Sequence, residues 1–253
     1  MRLPSWPLAV LLASCDGGTD DTAPQDTSPQ DDTGELTSRC PEPTPPPCTD
    51  AMVLDLSLHD DAVSDGAVNT TSEGDDRLTV VDATAGGFGQ DHEHPWVYIR
   101  FDTDGAHRVD IDDEAALESL EWHLALRRSQ LRLNGGDGGP SCVGADARTT
   151  SAYADIATVP ADAEFQLEDF YTDACELQME PYGLYPAYVL GAWWSYGSCV
   201  ETTLTPYLVQ LDDGRILKLV VEAYYATGQE ACNASGTPGT DSGTITLRWA
   251  FLH

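Results

Sequence analysis

The chain has 253 residues, long enough to bury one sizeable core with a tail to spare. Its 43 acidic residues against 12 Lys and Arg leave a formal net charge of −31, a balance that repels nucleic acid and anionic membranes alike. The acids are spread along the chain, so the charge marks no single site and says little about fold.

Residues 1–15, MRLPSWPLAVLLASC, place Arg2 ahead of the apolar run Leu8–Ala13 and end on Leu12-Ala13-Ser14-Cys15. This resembles a bacterial lipoprotein signal, in which the cysteine is acylated and becomes the first residue of the mature protein. The run is too short to cross a bilayer as a helix. A signal peptide cut elsewhere is the alternative. Setting Cys15 aside leaves an even number of the seven cysteines, which suits disulfides in an oxidising compartment. Many pairings are open; sequential pairing, Cys40–Cys48, Cys142–Cys175 and Cys199–Cys232, is the working expectation. No C-x-x-C pair supports metal ligation by thiolates instead.

Residues 16–50 are rich in Asp, Thr, Pro and Gln and almost free of large apolar side chains. Such a segment buries too little surface to offset the entropy of ordering it, and it reads as a disordered, solvated tether. The folded domain is expected over 51–253. Met52–His59 alternates as a strand does, as does the region around Leu78–Val81, and His94–Phe101 reads as a strand opened by Pro95. Asp112–Leu120 is the one helical piece, with Asp112 or Asp113 as its cap.

Glu121–Gly136 organises the rest. Trp122, Leu124 and Leu126 alternate with His123, Ala125 and Arg127, the period of a strand with one buried face. The parity flips at Arg127-Arg128-Ser129, which implies a bulge or a tight bend. Asn134-Gly135-Gly136 then supplies a turn. Residues 137–186 carry scattered aromatics without periodicity, and so long a loop is functional or hides strands. Strand patterns return at 187–197, 203–211, 215–225 and 242–252, with a turn at Asp212-Asp213-Gly214. The last four read as antiparallel strands, so the domain is expected to be all-β with one short helix.

Five blocks in order carry a resemblance. Trp96-Val97-Tyr98 comes first, then Trp122-His123-Leu124-Ala125-Leu126-Arg127-Arg128 with Arg132, Asn134 and Gly135. Trp193-Trp194-Ser195-Tyr196 with Leu204-Thr205-Pro206 follows. Asp213-Gly214-Arg215 with Lys218-Leu219 and Tyr224-Tyr225 precedes Ser242–Trp249. Together they resemble the HmuY-like lipoproteins of bacteria. The resemblance implies an all-β, lipid-anchored protein of the cell envelope, at the outer membrane, and haem held by two axial side chains, His/His or Met/Met. One departure is plain: Gly135–Gly197, the region that supplies those ligands, has no histidine and a single methionine, Met179.

Candidate sites follow from side-chain chemistry. Met179 with Tyr182 or Tyr185 is the pair available to a haem iron. Arg127 and Arg132, with Arg128, form a cationic group able to clamp a carboxylate such as a propionate. Pairing with the chain's own acids is their other use. His92 and His94 share a metal ion if their segment is extended. His123 pairs with an acid or faces solvent. Trp193, Trp194, Tyr196, Tyr224 and Tyr225 line an aromatic pocket or the core, with one tryptophan turned outward. No nucleophile elbow, zinc-protease helix or phosphate loop is present, so a binding protein is expected rather than an enzyme. The alternative is a surface interaction module of the same scaffold that binds no haem.

Overall fold

Val, Ile, Leu, Tyr and Trp concentrate toward the carboxy-terminal end, and there the longest strands form. The computed structural model describes residues 38–252; the signal 1–15 with Cys15, the tether up to residue 37 and His253 lie outside the described residues. Strands β1 (Val68–Glu73), β2 (Asp76–Asp82), β3 (Val97–Phe101), β4 (Ala106–Val109), β5 (Leu124–Arg127) and β6 (Gln130–Leu133) come first. They are followed by β7 (Gly144–Ala147), β8 (Trp194–Tyr196), β9 (Val200–Thr202), β10 (Tyr207–Gln210), β11 (Ile216–Tyr225) and β12 (Ser242–Leu252). The domain is all-β in character, and every pairing between these strands is antiparallel.

One sheet has six strands in the order β1-β2-β12-β11-β10-β7, a second has four in the order β4-β3-β5-β6, and β8 pairs with β9. The main core lies between the two larger sheets, where Val81, Leu217, Leu219, Ile245 and Leu247 meet Ile99, Leu124, Leu126, Leu131 and Leu133. A second core covers the other face of the four-stranded sheet with Met52, Leu56, Leu117, Phe170 and Tyr188, packed on Trp96, Tyr98, Trp122 and Ala125. The expectation of one buried face for the Trp122 strand is thus corrected. Every residue of β5 and β6 is buried, because a layer sits on each side.

The parity flip at Arg127–Ser129 is a tight hairpin, with Arg127 opposite Gln130 and Arg128 at φ 55°. A second irregularity precedes it. His123 N–H donates to Ile99 O at 2.8 Å while Leu124 is the registered partner of Ile99, so two residues face one. That bulge turns Trp122 toward the second core and Leu124 toward the first. The Asn134-Gly135 turn is held from within. Asn134 Nδ2 donates to Ser119 O and Trp122 O, and its Oδ1 accepts from Ser141 N. Gly136 follows at φ 62°, where an added Cβ would stand 2.2 Å from Glu168 O.

Three expectations about elements need correction. Met52–His59 is not a strand: α1 (Thr49–Asp55) occupies it, burying Met52 and Leu56 at i, i+4 and leaving Leu54 outside. Over so few residues that spacing also satisfies a period of two, which is why the pattern misleads. Asp112–Leu120 forms only a 3-10 turn at Ala115–Glu118, and its N-cap is Glu114 rather than Asp112 or Asp113; Asp112 accepts from Ala115 N at 2.8 Å from two residues further back. The second true helix is α2 (Glu230–Ser235). Of residues 187–197 only Trp194–Tyr196 is strand, and it pairs with β9 rather than joining the large sheet.

The disulfides change the domain boundary. Cys199–Cys232 forms, but the other expected pairs, Cys40–Cys48 and Cys142–Cys175, do not. Cys40 joins Cys142 and Cys48 joins Cys175. Arg39 N–H also donates to Asp212 O, and Thr44 N–H to Pro140 O. Residues 38–50 therefore form a strap fastened to the domain, and the tether does not extend to residue 50. Closeness in sequence said nothing here, since the bonds span separations of 102 and 127 residues.

Candidate functional site

The arginines of the hairpin go three different ways. Arg132 is fully buried: one terminal nitrogen donates to Gly138 O at 2.7 Å and the other to the Tyr98 hydroxyl at 2.9 Å. Its guanidinium lies 4.9 Å from the Trp96 ring and 5.2 Å from that of Trp122. Tyr98 passes the bond on to Asp113, whose carboxylate also accepts from Trp96 N and His59 N. Burial raises the Asp113 pKa against the pull of those N–H groups and of Arg132 and Arg127. Arg127 is buried as well, donating to Leu56 O at 2.6 Å and to Ser57 O, and covering Trp96 at 4.6 Å. As a clamp for an external carboxylate, Arg127 and Arg132 are ruled out by this geometry. They brace the second core against α1, through carbonyls and aromatic faces rather than ion pairs.

Arg128 differs. The positive φ of the hairpin turns it away from its neighbours and into a hollow of about 300 Å³. Phe88, Leu184, Tyr185, Trp194, Tyr196, Tyr224 and Tyr225 supply the walls. A second hollow, of about 390 Å³, is lined by Met179, Tyr182, Tyr188, Val189 and Trp194. Trp194 is common to both. Tyr182 stacks on it at 5.3 Å, and Tyr185 meets it edge-on at 6.2 Å. The aromatic set continues inward through Trp193 and Tyr224, 6.0 Å apart. Both tryptophans are buried, at 1% and 8% exposure; Trp193 donates its indole N–H to Ser129 O, and Trp194 reaches the lining of both hollows.

The loop that carries these side chains is held by one carboxylate. Glu180 accepts from the backbone N–H groups of Tyr182, Leu184 and Tyr185, at 2.5, 2.7 and 3.3 Å. This fixes the segment so that Tyr182 and Leu184 stay 52% and 59% exposed over the cleft. Met179 is 43%, Tyr196 57% and Phe88 93% exposed around the same rim. So much exposed apolar surface in one place marks a binding surface. Met179 and Tyr182 are thus brought together in one hollow. Phe88 and Leu184 went unnoticed in the sequence; each is a lone apolar residue beside glycine, at a turn tip.

The histidines have other duties. His123 is fully buried; Phe101 N–H donates to its Nδ1, so its Nε2–H donates to Asp212, 2.9 Å away. Burial lowers the His123 pKa and keeps it neutral. Asp212 stays below the usual carboxylate range: burial alone would raise it, and the His123 hydrogen bond with the nearby Arg100 outweighs that. The pair latches the four-stranded sheet to the β10–β11 turn of the six-stranded one. His92 lies in a 3-10 turn, Asp91–Glu93, rather than in an extended segment, so it does not share a direction with His94. Among the described residues no group of three or more His, Cys, Asp or Glu converges to hold a metal ion.

Other hollows have less to offer a ligand. The widest, about 680 Å³, contains Arg100 and Arg108, but both are already paired, with Asp212 and Asp110. A smaller one, about 210 Å³, lies between Ala62–Gly66 and Asp82–Gly86 and has no large apolar platform. Glu168, fully buried, is raised by desolvation to about 7 while it accepts from Leu133 N and Val189 N. It ties the hairpin to the cleft segment and faces no hollow described above.

The model of the family described as HmuY protein matches residues 92–235. Among solved structures, a putative HmuY-like heme binding protein from Bacteroides vulgatus is 18% identical, with a TM-score of 0.45, covering 72% of this chain and 95% of its own. A putative lipoprotein from Bacteroides fragilis is 16% identical, with a TM-score of 0.39 and coverage of 71% and 91%. An apo HmuY analog from Tannerella forsythia is 13% identical, with a TM-score of 0.39 and coverage of 76% and 100%. No curated protein matches by sequence. The family match spans more than half of the residues, from the His92 turn to the end of α2, and on that ground the chain belongs to the HmuY family.

Proposed function

We propose that this protein is a binding protein of the bacterial cell envelope, anchored at the outer membrane through acyl chains on Cys15. Its ligand is a flat, largely apolar molecule seated on the cleft around Trp194, and haem is the first molecule to test. The observation that carries the reading is Trp194 itself, shared by two hollows and braced by Tyr182 and Tyr185. Membership of the HmuY family supports haem, as does a lone cation, Arg128, at the cleft wall. The Leu-Ala-Ser-Cys motif supports the anchor. Binding, not turnover, fits a site built from aromatic faces, with its one carboxylate, Glu180, spent on the loop.

The aromatic rings suit the organic frame of haem, whereas neither a His/His nor a Met/Met pair for its iron is among the residues lining the two hollows. The residues lining the two hollows include no imidazole and a single thioether, Met179. Titration of the full chain with haemin tests the reading. The expected result is a Soret change that saturates at one equivalent; an unchanged spectrum removes haem. The exposed Phe88 and Leu184 favour a second reading, an interaction module whose partner is a protein surface. Mass spectrometry of the mature amino terminus tests the anchor, and an unacylated start beyond Cys15 rejects it.

A further inference from the structure

Arg128 is buried in the cleft wall of a protein with a formal net charge of −31, yet among the described residues it belongs to no ion pair. One terminal nitrogen donates to Ser242 O and, at 3.0 Å, to Ser242 Oγ; the guanidinium lies 5.6 Å from the Tyr224 ring. Its Nε and second terminal nitrogen have no protein acceptor among the described residues, and they are not sealed from solvent as the Nε atoms of Arg127 and Arg132 are. A guanidinium with free donors and no counter-ion, set among aromatic rings, is complementary to a carboxylate on an aromatic body. The cation is also held in place, because the hairpin turn and Ser242 fix it before any ligand arrives.

The rest of the cleft says what else is recognised. Tyr182, stacked on the buried Trp194, is the exposed π surface, and Met179 is the single soft donor, in the hollow that does not contain Arg128. Tyr182, the oxygen donor that shares this hollow, is already engaged: its ring stacks on Trp194 and its hydroxyl accepts from Tyr196 N–H at 3.4 Å. We infer that the cleft recognises a flat aromatic acid through its ring faces and its carboxylate, received by Arg128, and that the protein makes no bond to a metal the ligand carries. This rests on the reading of the cleft as the binding site, and it narrows the ligand to a chemical class defined without iron.

Calorimetric titration of the full chain with haemin, protoporphyrin IX and protoporphyrin dimethyl ester tests it. Haemin and the metal-free porphyrin are expected to bind with Kd values within about threefold of each other, and Met179→Leu to shift both by the same factor. Capping the carboxylates in the dimethyl ester is expected to weaken binding roughly tenfold, the scale of one charge-assisted hydrogen bond. Arg128→Gln should lower affinity for the free acid by a similar factor and leave the ester unaffected, with Arg128→Lys restoring part of the loss. The ester comparison uses the unaltered protein, so it stands even where an Arg128 variant misfolds. Haemin binding more than tenfold tighter than the metal-free porphyrin, or weakened by Met179→Leu where the metal-free porphyrin is not, overturns the inference and leaves the cleft as the site. Equal affinity for acid and ester in the unaltered protein overturns the role of Arg128. If neither porphyrin binds, the cleft reading fails and takes the inference with it.

Discussion

Arg132 shows how much a single buried cation does here. It joins β6 to the Gly138 carbonyl, holds the Tyr98 hydroxyl that serves Asp113, and lies against two indole rings. Replacing it with methionine keeps the volume but leaves Gly138 O and the Tyr98–Asp113 pair short of a donor. The expected loss is about 3 kcal/mol, measured by urea unfolding. A loss under about 1 kcal/mol would show that the aromatic cage holds this region without the charge. The identity of these arginines as a group was visible in the sequence, but their directions were not. Residues 127, 128 and 132 sit on a hairpin whose turn needs a left-handed residue, and only coordinates show which one leaves the core. For His123 the sequence left two uses open, an acid partner or solvent; its burial against Asp212, on a distant turn, decides between them.

At the level of elements, strands were readable where one pattern dominates. β10, β11 and β12 alternate or run apolar over several residues between turn signals, and they form as expected. Short elements were ambiguous, because Met52 and Leu56 satisfy a helix and a strand equally well. Within 137–186 the sequence hid one short strand, β7, which pairs with β10, and most of the remaining order comes from isolated contacts: single bridges join Gly136 to Glu168, Ala145 to Gln166 and Tyr171 to Leu177. These contacts carry no periodic signature. Gly136 tests their weight. At φ 62°, with Glu168 O only 2.2 Å from any added Cβ, Gly136→Ala must move backbone rather than a flexible side chain. A loss of about 2–3 kcal/mol in thermal or urea unfolding is expected. Loss of no more than about 0.5 kcal/mol would mean that this loop gives way easily.

For the whole molecule, buried carboxylates set the response to pH. Glu168 is raised from 4.5 to about 7, and Asp113 and Asp137 are raised by burial in the same direction. Each binds its proton more tightly folded than unfolded. Their contribution is complete below the ordinary carboxylate pKa and is lost as pH climbs toward 7. Glu168 alone corresponds to about 3 kcal/mol at 1.36 kcal/mol per pH unit. Asp212 acts oppositely, since its lowered pKa gives stability that disappears as pH falls below 3.8. Buried neutral His123 opposes this, since its lowered pKa makes stability fall as pH drops below 6.5, so the carboxylate contribution is read as the decline toward pH 7 that depends on Glu168. Glu168→Gln should flatten that decline in urea titrations at several pH values. A midpoint that varies between pH 5 and 7 in Glu168→Gln just as it does in the unaltered protein would contradict the assignment.

The strap of residues 38–50 has a mechanical consequence. Two staples join it to the body at Cys142 and Cys175, far apart along the chain, so tension arriving from upstream meets covalent bonds before it meets the sheets. A protease that nicks the backbone between Cys40 and Cys48 would free neither fragment. The cleft would remain moored to whatever holds the amino terminus until a reductant opened the first staple.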